Sequence, residues 1–458
     1  MKILLLNCPY KEPIIRDNYC CFTSKSGYIW PPVDLLYLTS LLGVRSNLKV
    51  IDAVVEKINW QLVYKRIREF DPEIVVALTG TVSYQEDMVG LKNVKNRKIF
   101  IMGNTPCFRP EFFLRKYSFI TGIIHNFFNS SIADFLLGKQ IECESISFRK
   151  QDGSFYFGKV NYLRPMSEIS VPYVPQYHLF PLNKYSTPII KKKPMVTAMT
   201  SFGCPFNCKF CIASALTYYR RKIPDLEREF DAIKKAGAKE IFFEDSTFNT
   251  HIPYLEEICQ LMIKKKYNFS WCANVHSFNL SKSLLSLMKR AGCHTIQIGV
   301  ESGDAGILKE YAPSKNTKRL NDAFKLCKEV GIRTLGYFII GFPKENEKKA
   351  RTTIDFAKKL NPDFASFSVM TPDYGTKLYE EVVAKKMVKG KSVMSFDSSE
   401  KAVISNPEFS ENKQDEMIRT AYKEFYMRPR KLFFYLKDYR SFFLYLKNGL
   451  RLILKKII

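Results

Sequence analysis

Ser201-Phe-Gly-Cys-Pro-Phe-Asn-Cys-Lys-Phe-Cys211 sets three cysteines, Cys204, Cys208 and Cys211, at C-x3-C-x2-C spacing. The run before it, Met195-Val-Thr-Ala-Met-Thr200, reads as a short strand ending in a loop. Three thiolates on one tight loop can hold three corners of a cubane [4Fe–4S] cluster. The fourth iron then keeps an open position for a small molecule. A four-cysteine ferredoxin pattern would close that position, and a structural zinc site would want a fourth ligand. The next cysteine, Cys259, is far downstream.

Outward from that loop the chain alternates strand and helix from Met195 to about Lys389. Strands are expected at Glu240–Asp245, Phe269–Val275, Thr295–Val300, Arg333–Ile340 and Phe364–Met370, with helices between them. With the cluster strand that makes six βα units, a partial (β/α)6 barrel of the TIM type. Active sites of such barrels gather at the C-terminal ends of the strands, where the cysteine loop falls. Residues 1–138 read as another α/β unit. Lys2-Ile-Leu-Leu-Leu-Asn7 and Glu73-Ile-Val-Val-Ala-Leu-Thr79 are continuous apolar strands, as expected when both faces are covered. A doubly wound parallel sheet takes ligands beyond its strand C-terminal ends, here the loops Cys8–Arg16, Thr79–Ser83 and Gly103–Thr105. Residues 139–194 read as a linker with a hairpin turning at Asp152-Gly153. Residues 390–458 read as a helical extension.

Composition bounds the function. The 458 residues suffice for two or three cores, and the net charge of +26 calls for an anionic partner. The apolar run at Met1–Leu6 breaks at Asn7 without a cleavage pattern, and scattered cysteines point to a reducing cytoplasm. From Arg428 to Ile458 nine Lys and Arg stand against one Asp, with an apolar stripe from Leu436 to Ile457. That is the pattern of a helix lying on a membrane surface, so peripheral contact with the inner face of the cell membrane is expected.

The cysteine loop, with Phe210 before its third cysteine, resembles the radical S-adenosylmethionine (SAM) superfamily. Thr200-Ser-Phe-Gly-Cys-Pro205 is similar to the entry motif of its branch with an N-terminal cobalamin-binding domain, with Phe202 where Arg is usual. Lys2–Pro9, Pro31–Leu42, Leu48–Glu56 and Asp71–Thr79 are similar to that domain. The resemblance implies reductive cleavage of SAM on a [4Fe–4S] cluster held by Cys204, Cys208 and Cys211. The resulting radical takes hydrogen from an unactivated C–H bond, and cobalamin delivers a methyl group. It implies Phe210, Glu244, Asp245, Asn274, His276, Glu301 and Ser302 around SAM, and Thr79, Ser83 and Gly103 around cobalamin. Glu244 and Asp245 would take the SAM amino group and Glu301 the ribose hydroxyls. The partners implied are a small, lipid-like or other substrate and a flavodoxin or ferredoxin reductant. Radical cyclisation, coupling or oxidation of a membrane lipid or tetrapyrrole without cobalamin is the alternative, and RNA modification, which the net charge would suit, is a second. Nucleic acid is not expected, since a small β RNA-binding module and a second three-cysteine pattern are both missing.

Overall fold

The computed structural model describes residues 1–43, 45–159, 168–171, 174–388, 396–429 and 431. The basic amphipathic tail expected after Leu432 lies outside the described residues. The first strands are β1 Lys2–Asn7, β2 Ile14–Arg16, β3 Cys21–Thr23, β4 Asn47–Asp52, β5 Ile74–Leu78, β6 Lys98–Met102, β7 Gly122–Ile124, β8 Ile146–Arg149 and β9 Phe155–Tyr156. Seven of them make one sheet in the order β4-β1-β5-β6-β7-β8-β9, parallel through β7. Ile3 to Leu6 are wholly buried, which is why the strand carries no polar alternation.

One boundary differs from the sequence reading. The hairpin assigned to the linker joins this sheet instead: β8 pairs antiparallel with β7, Ile123 opposite Ser147. The pairing buries Ile146 and Phe148, and the sheet ends at Tyr156 rather than near residue 138.

The second unit holds β10 Glu168–Ile169, β11 Met195–Ala198, β12 Ser201–Phe202, β13 Tyr219–Arg221, β14 Glu240–Phe243, β15 Ser270–Val275, β16 Cys293–Glu301, β17 Arg333–Ile340 and β18 Phe364–Val369. Six of these form a parallel sheet in sequence order, β11-β14-β15-β16-β17-β18, the partial barrel expected. Helices between them start and stop on recognisable residues. Asn316 accepts from the Arg319 amide at 2.9 Å to open the helix Thr317–Val330, and Gly331 at φ +76° closes it. Asn346 and Asn361 frame Glu347–Leu360 in the same way.

The barrel is open, so β18 is an edge with free backbone groups. The C-terminal helix Glu411–Tyr426 covers it. The Tyr422 hydroxyl bonds both N and O of Phe367, at 3.1 and 3.0 Å. The Tyr426 hydroxyl does the same for Ala365, at 2.9 and 2.6 Å.

The two units interlock. The helix Val33–Leu42 is buried on every side. Its Tyr37 hydroxyl donates to Glu229 at 2.9 Å and receives from Arg221 at 3.0 Å, and Arg221 pairs with Glu229 at 2.5 Å. Phe202, the departure from the family motif, stacks on Phe128 at 4.6 Å beside Tyr37 and Phe127. Lys25, buried, reaches from the first unit into the barrel and donates to the Phe367 carbonyl at 2.6 Å and Ser368 Oγ at 2.7 Å.

Candidate active site at the barrel mouth

The loop after β11 turns at Gly203, whose φ is +70°. A Cβ there would lie 2.3 Å from the Thr217 carbonyl, so only glycine fits. Beyond it Ser214 Oγ bonds the carbonyls of Cys208 and Cys211, at 2.8 and 2.6 Å. The Lys209 amide and carbonyl are tied to Tyr311 and Leu378. So fixed, Cys204, Cys208 and Cys211 line one cavity of about 350 Å³ at the strand C-terminal ends.

The thiols fit a polynuclear cluster. They share the cavity, and among the described residues no fourth cysteine lines it. A cubane held by three cysteines keeps its fourth iron open, whereas a structural zinc site wants four ligands. Burial raises all three thiols, Cys208 to about 11. They therefore stay protonated until a metal takes the proton's place.

Asn274, His276, Glu301 and Phe210 line the same cavity. His276 stacks on Phe206 at 4.2 Å, and burial followed by the charges of Lys315 and Arg319 pushes it down to about 3. Its Nδ1 accepts from the Phe278 amide at 3.0 Å, which leaves the proton of the neutral ring on Nε2, 3.1 Å from Ser314 Oγ. Glu301 has φ +65° at a register shift between β16 and β17. That kink sets its carboxylate on the cavity wall, 2.5 Å from Lys315 Nζ. Burial works against the Lys315 charge, but Glu301 and the thiols Cys208 and Cys211 outweigh it and raise the group.

Glu244, Asp245 and Ser302 are placed elsewhere. β14 stops at Phe243, leaving both acids in the following loop. Asp245 accepts from the Thr200 amide and hydroxyl and from Ser201 Oγ, the last at 2.6 Å, and so pins the entry to the cysteine loop. Glu244 accepts from Trp30 Nε1 at 2.9 Å and faces Asp17 of the first unit. Burial, then the Asp17 charge, raises it well above the carboxylate range. Ser302 is buried against Thr353 at 3.0 Å.

Thr79, Ser83 and Gly103 meet at the ends of β5 and β6. Thr79 and Ser83 donate to Asp87 at 2.5 and 2.7 Å. Asp87 pairs with Arg16 at 3.1 Å, both side chains wholly buried. A Cβ on Gly103 would lie 1.8 Å from the Thr79 carbonyl, so this glycine permits strand-end packing. Arg16 ties the β2–β3 hairpin to these strand ends, donating to Ser83 Oγ at 2.8 Å and Asn7 Oδ1 at 2.9 Å. Asp34 Oδ1 is buried there with no hydrogen-bond partner among the described residues. It suits a ligand that carries amide side chains, as cobalamin does.

The sequence reading missed Lys315, Gln297, Tyr337 and Asp373, all on the cavity wall. Gln297 had a signal: residues 297, 299 and 301 share one face of β16. Its Oε1 accepts from Tyr337 at 2.5 Å, while Nε2 is buried with no partner among the described residues.

A partial parallel barrel with a three-cysteine loop at its mouth is the frame of an enzyme that works at its strand C-terminal ends. Residues 199–357 match the model of the radical SAM superfamily. An uncharacterised methyltransferase of Pyrococcus horikoshii is 30% identical over 99% of this chain and 98% of its own length. The anaerobic magnesium-protoporphyrin IX monomethyl ester cyclase of Cereibacter sphaeroides is 22% identical over 92% of this chain and 71% of its own. Two solved structures share the fold. TsrM from Kitasatospora setae, a radical S-adenosylmethionine methyltransferase with cobalamin and [4Fe-4S] cluster bound, has a TM-score of 0.66 at 14% identity, covering 85% of this chain and 79% of its own. OxsB, a cobalamin-dependent S-adenosylmethionine radical enzyme, has a TM-score of 0.70 at 16% identity, covering 97% and 72%. The chain belongs to the radical SAM superfamily. Among the described residues, no helix is long and apolar enough to cross a membrane.

Proposed function

We propose that this enzyme methylates carbon in a small substrate, with a [4Fe–4S] cluster on Cys204, Cys208 and Cys211, SAM in the cavity they line, and cobalamin at the junction of the two units. The observation that carries the reading is the convergence of three thiols, Asn274, His276 and the Glu301–Lys315 pair on one cavity. Similarity to a methyltransferase along the whole chain supports the methyl transfer. When bound, the cluster and SAM supply a hydrogen-abstracting radical and cobalamin supplies the methyl group. The chain's residues bind and shield. Glu301 accepts hydroxyl donors of the ribose, Lys315 holds anionic groups beside the thiolates, and Phe206 and Phe210 exclude water from one wall. A one-electron donor of the flavodoxin or ferredoxin type completes the system. The basic tail meets an anionic membrane, which cosedimentation with phosphatidylserine vesicles tests.

A second reading, radical cyclisation or oxidation without cobalamin, has its own observations: Thr79 and Ser83 at the sheet ends are spent on Asp87, itself paired with Arg16, and a cyclase is among the relatives. Anaerobic reconstitution with iron, sulfide and hydroxocobalamin separates the two. About four Fe and one Co per chain support methylation. Four Fe without Co moves the assignment to the second reading. Zinc without iron overturns both.

A further inference from the structure

Two donors on the cavity wall have no acceptor among the described residues. Gln297, 4% exposed, lies within β16 on the face that ends at Glu301, and Gly299 between them adds no side chain to that face. Its Oε1 is taken by the Tyr337 hydroxyl, so the direction of Nε2 is set, and Nε2 is buried without a partner among the described residues. Ser368, within β18, carries the second. Its Oγ accepts from Lys25 Nζ at 2.7 Å, and its own O–H meets no acceptor among the described residues. Lys25 comes from the first unit and is 8% exposed. The Phe367 carbonyl and Ser366 Oγ take its other two protons, at 2.6 and 3.2 Å. All three partners are neutral, and among the described residues no carboxylate lies within ion-pair distance of Lys25. A buried ammonium among neutral acceptors is costly, and an anion close by offsets the cost.

We propose that the substrate carries an oxyanion, a carboxylate or a phosphate-type group, bound by Gln297 Nε2 and the Ser368 hydroxyl, with Lys25 as the positioning residue behind Ser368. The assignment rests on the proposed function and names the substrate class for it. An oxyanion has lone pairs for both donors, and hydrogen bonds to a charged acceptor are the strong ones. Neutral donors alone would accept any carbonyl or hydroxyl; the ammonium selects for charge. Lys25 stands one hydrogen bond behind the wall and acts through Ser368, holding the oxygen so that its proton is left for the ligand. Burial pushes the Lys25 amine down to about 7, and an anion beside Ser368 favours its charged form.

The test is fluorine NMR on the reconstituted full chain saturated with SAM, with 4-fluorobenzoate, 4-fluorophenylphosphonate and 4-fluorobenzylamine as probes. Wild type is expected to bind one of the two anions tighter than the amine by about tenfold or more, and the tighter anion tells carboxylate from phosphate-type substrate. Gln297→Glu keeps the acceptor for Tyr337 and puts a carboxylate oxygen where the N–H donor was. With iron content and SAM affinity unchanged, it is expected to reverse the preference and take the amine over the anions, which a purely structural role for Gln297 would not do. Lys25→Met is expected to weaken anion binding by about tenfold or more without strengthening the amine. Wild type that binds neither anion, or binds the amine as tightly, overturns the proposal, as does anion affinity unchanged in either variant. A chain that holds iron and SAM but neither anion overturns this assignment alone, whereas a chain that takes up no iron overturns the proposed function and the assignment with it.

Discussion

Lys25 shows how far a single side chain departs from its solution behaviour here. Burial pushes its amine down to about 7 from 10.5, against a smaller upward pull from Asp397. Between those two values the unfolded chain binds more protons than the folded one, so stability rises with pH across that window. The slope is at most about 1.4 kcal/mol per pH unit. Lys25→Met removes the titration, and melting temperatures measured from pH 7 to 10 are expected to flatten. At this scale the three cysteines were legible because their spacing is itself the site. Lys315 and Asp373 were not, since they reach the cavity only through loops after β16 and β18 whose course depends on tertiary packing. Glu244 and Asp245 were legible as acids at a strand end but not in direction, because β14 stops at Phe243 and the chain turns there.

Among elements, the edge of β18 is the most exposed to mutation. Tyr422 and Tyr426 each satisfy an N–H and a C=O that a sheet edge otherwise leaves to water. Tyr426→Phe removes one hydroxyl and leaves two backbone groups unpaired. A loss of roughly 1–3 kcal/mol in denaturant unfolding is expected, with a similar loss for Tyr422→Phe. Gly103→Ala is expected to cost more than about 1 kcal/mol, because φ is +126° and the methyl meets the Thr79 carbonyl. Strand and helix alternation was readable in the sequence because parallel strands are continuous apolar runs and the helices carry Asn and Gly at their ends. The β2–β3 hairpin was not, since three residues a side give no periodicity. The β8–β9 hairpin was readable as a hairpin but not as part of the first sheet, because pairing with β7 leaves no local signal.

At the scale of the whole molecule, the sheet and the barrel share one buried interface. It contains the Tyr37–Arg221–Glu229 network, the Lys25 insertion and the contacts of Thr23 with Asp397, the shorter at 2.6 Å. Breaking the Arg221–Glu229 pair from one side strands a charge in that interface. Glu229→Ala is expected to lower stability by about 3–5 kcal/mol and to destabilise both units together, seen as one calorimetric transition moving as a whole. Two domain types could be inferred from the sequence, but their interlocking could not, since the residues that join them are far apart in the chain.

The Lys25 insertion bears on how such proteins diversify. A sheet domain joined only by a linker can be exchanged between relatives as a cassette. Here exchange would remove the amine that Ser366 and Ser368 face inside the barrel. The two halves must therefore be inherited as a pair, and chimeras that cross over between residues 157 and 194 should need the matching lysine and serines to travel together.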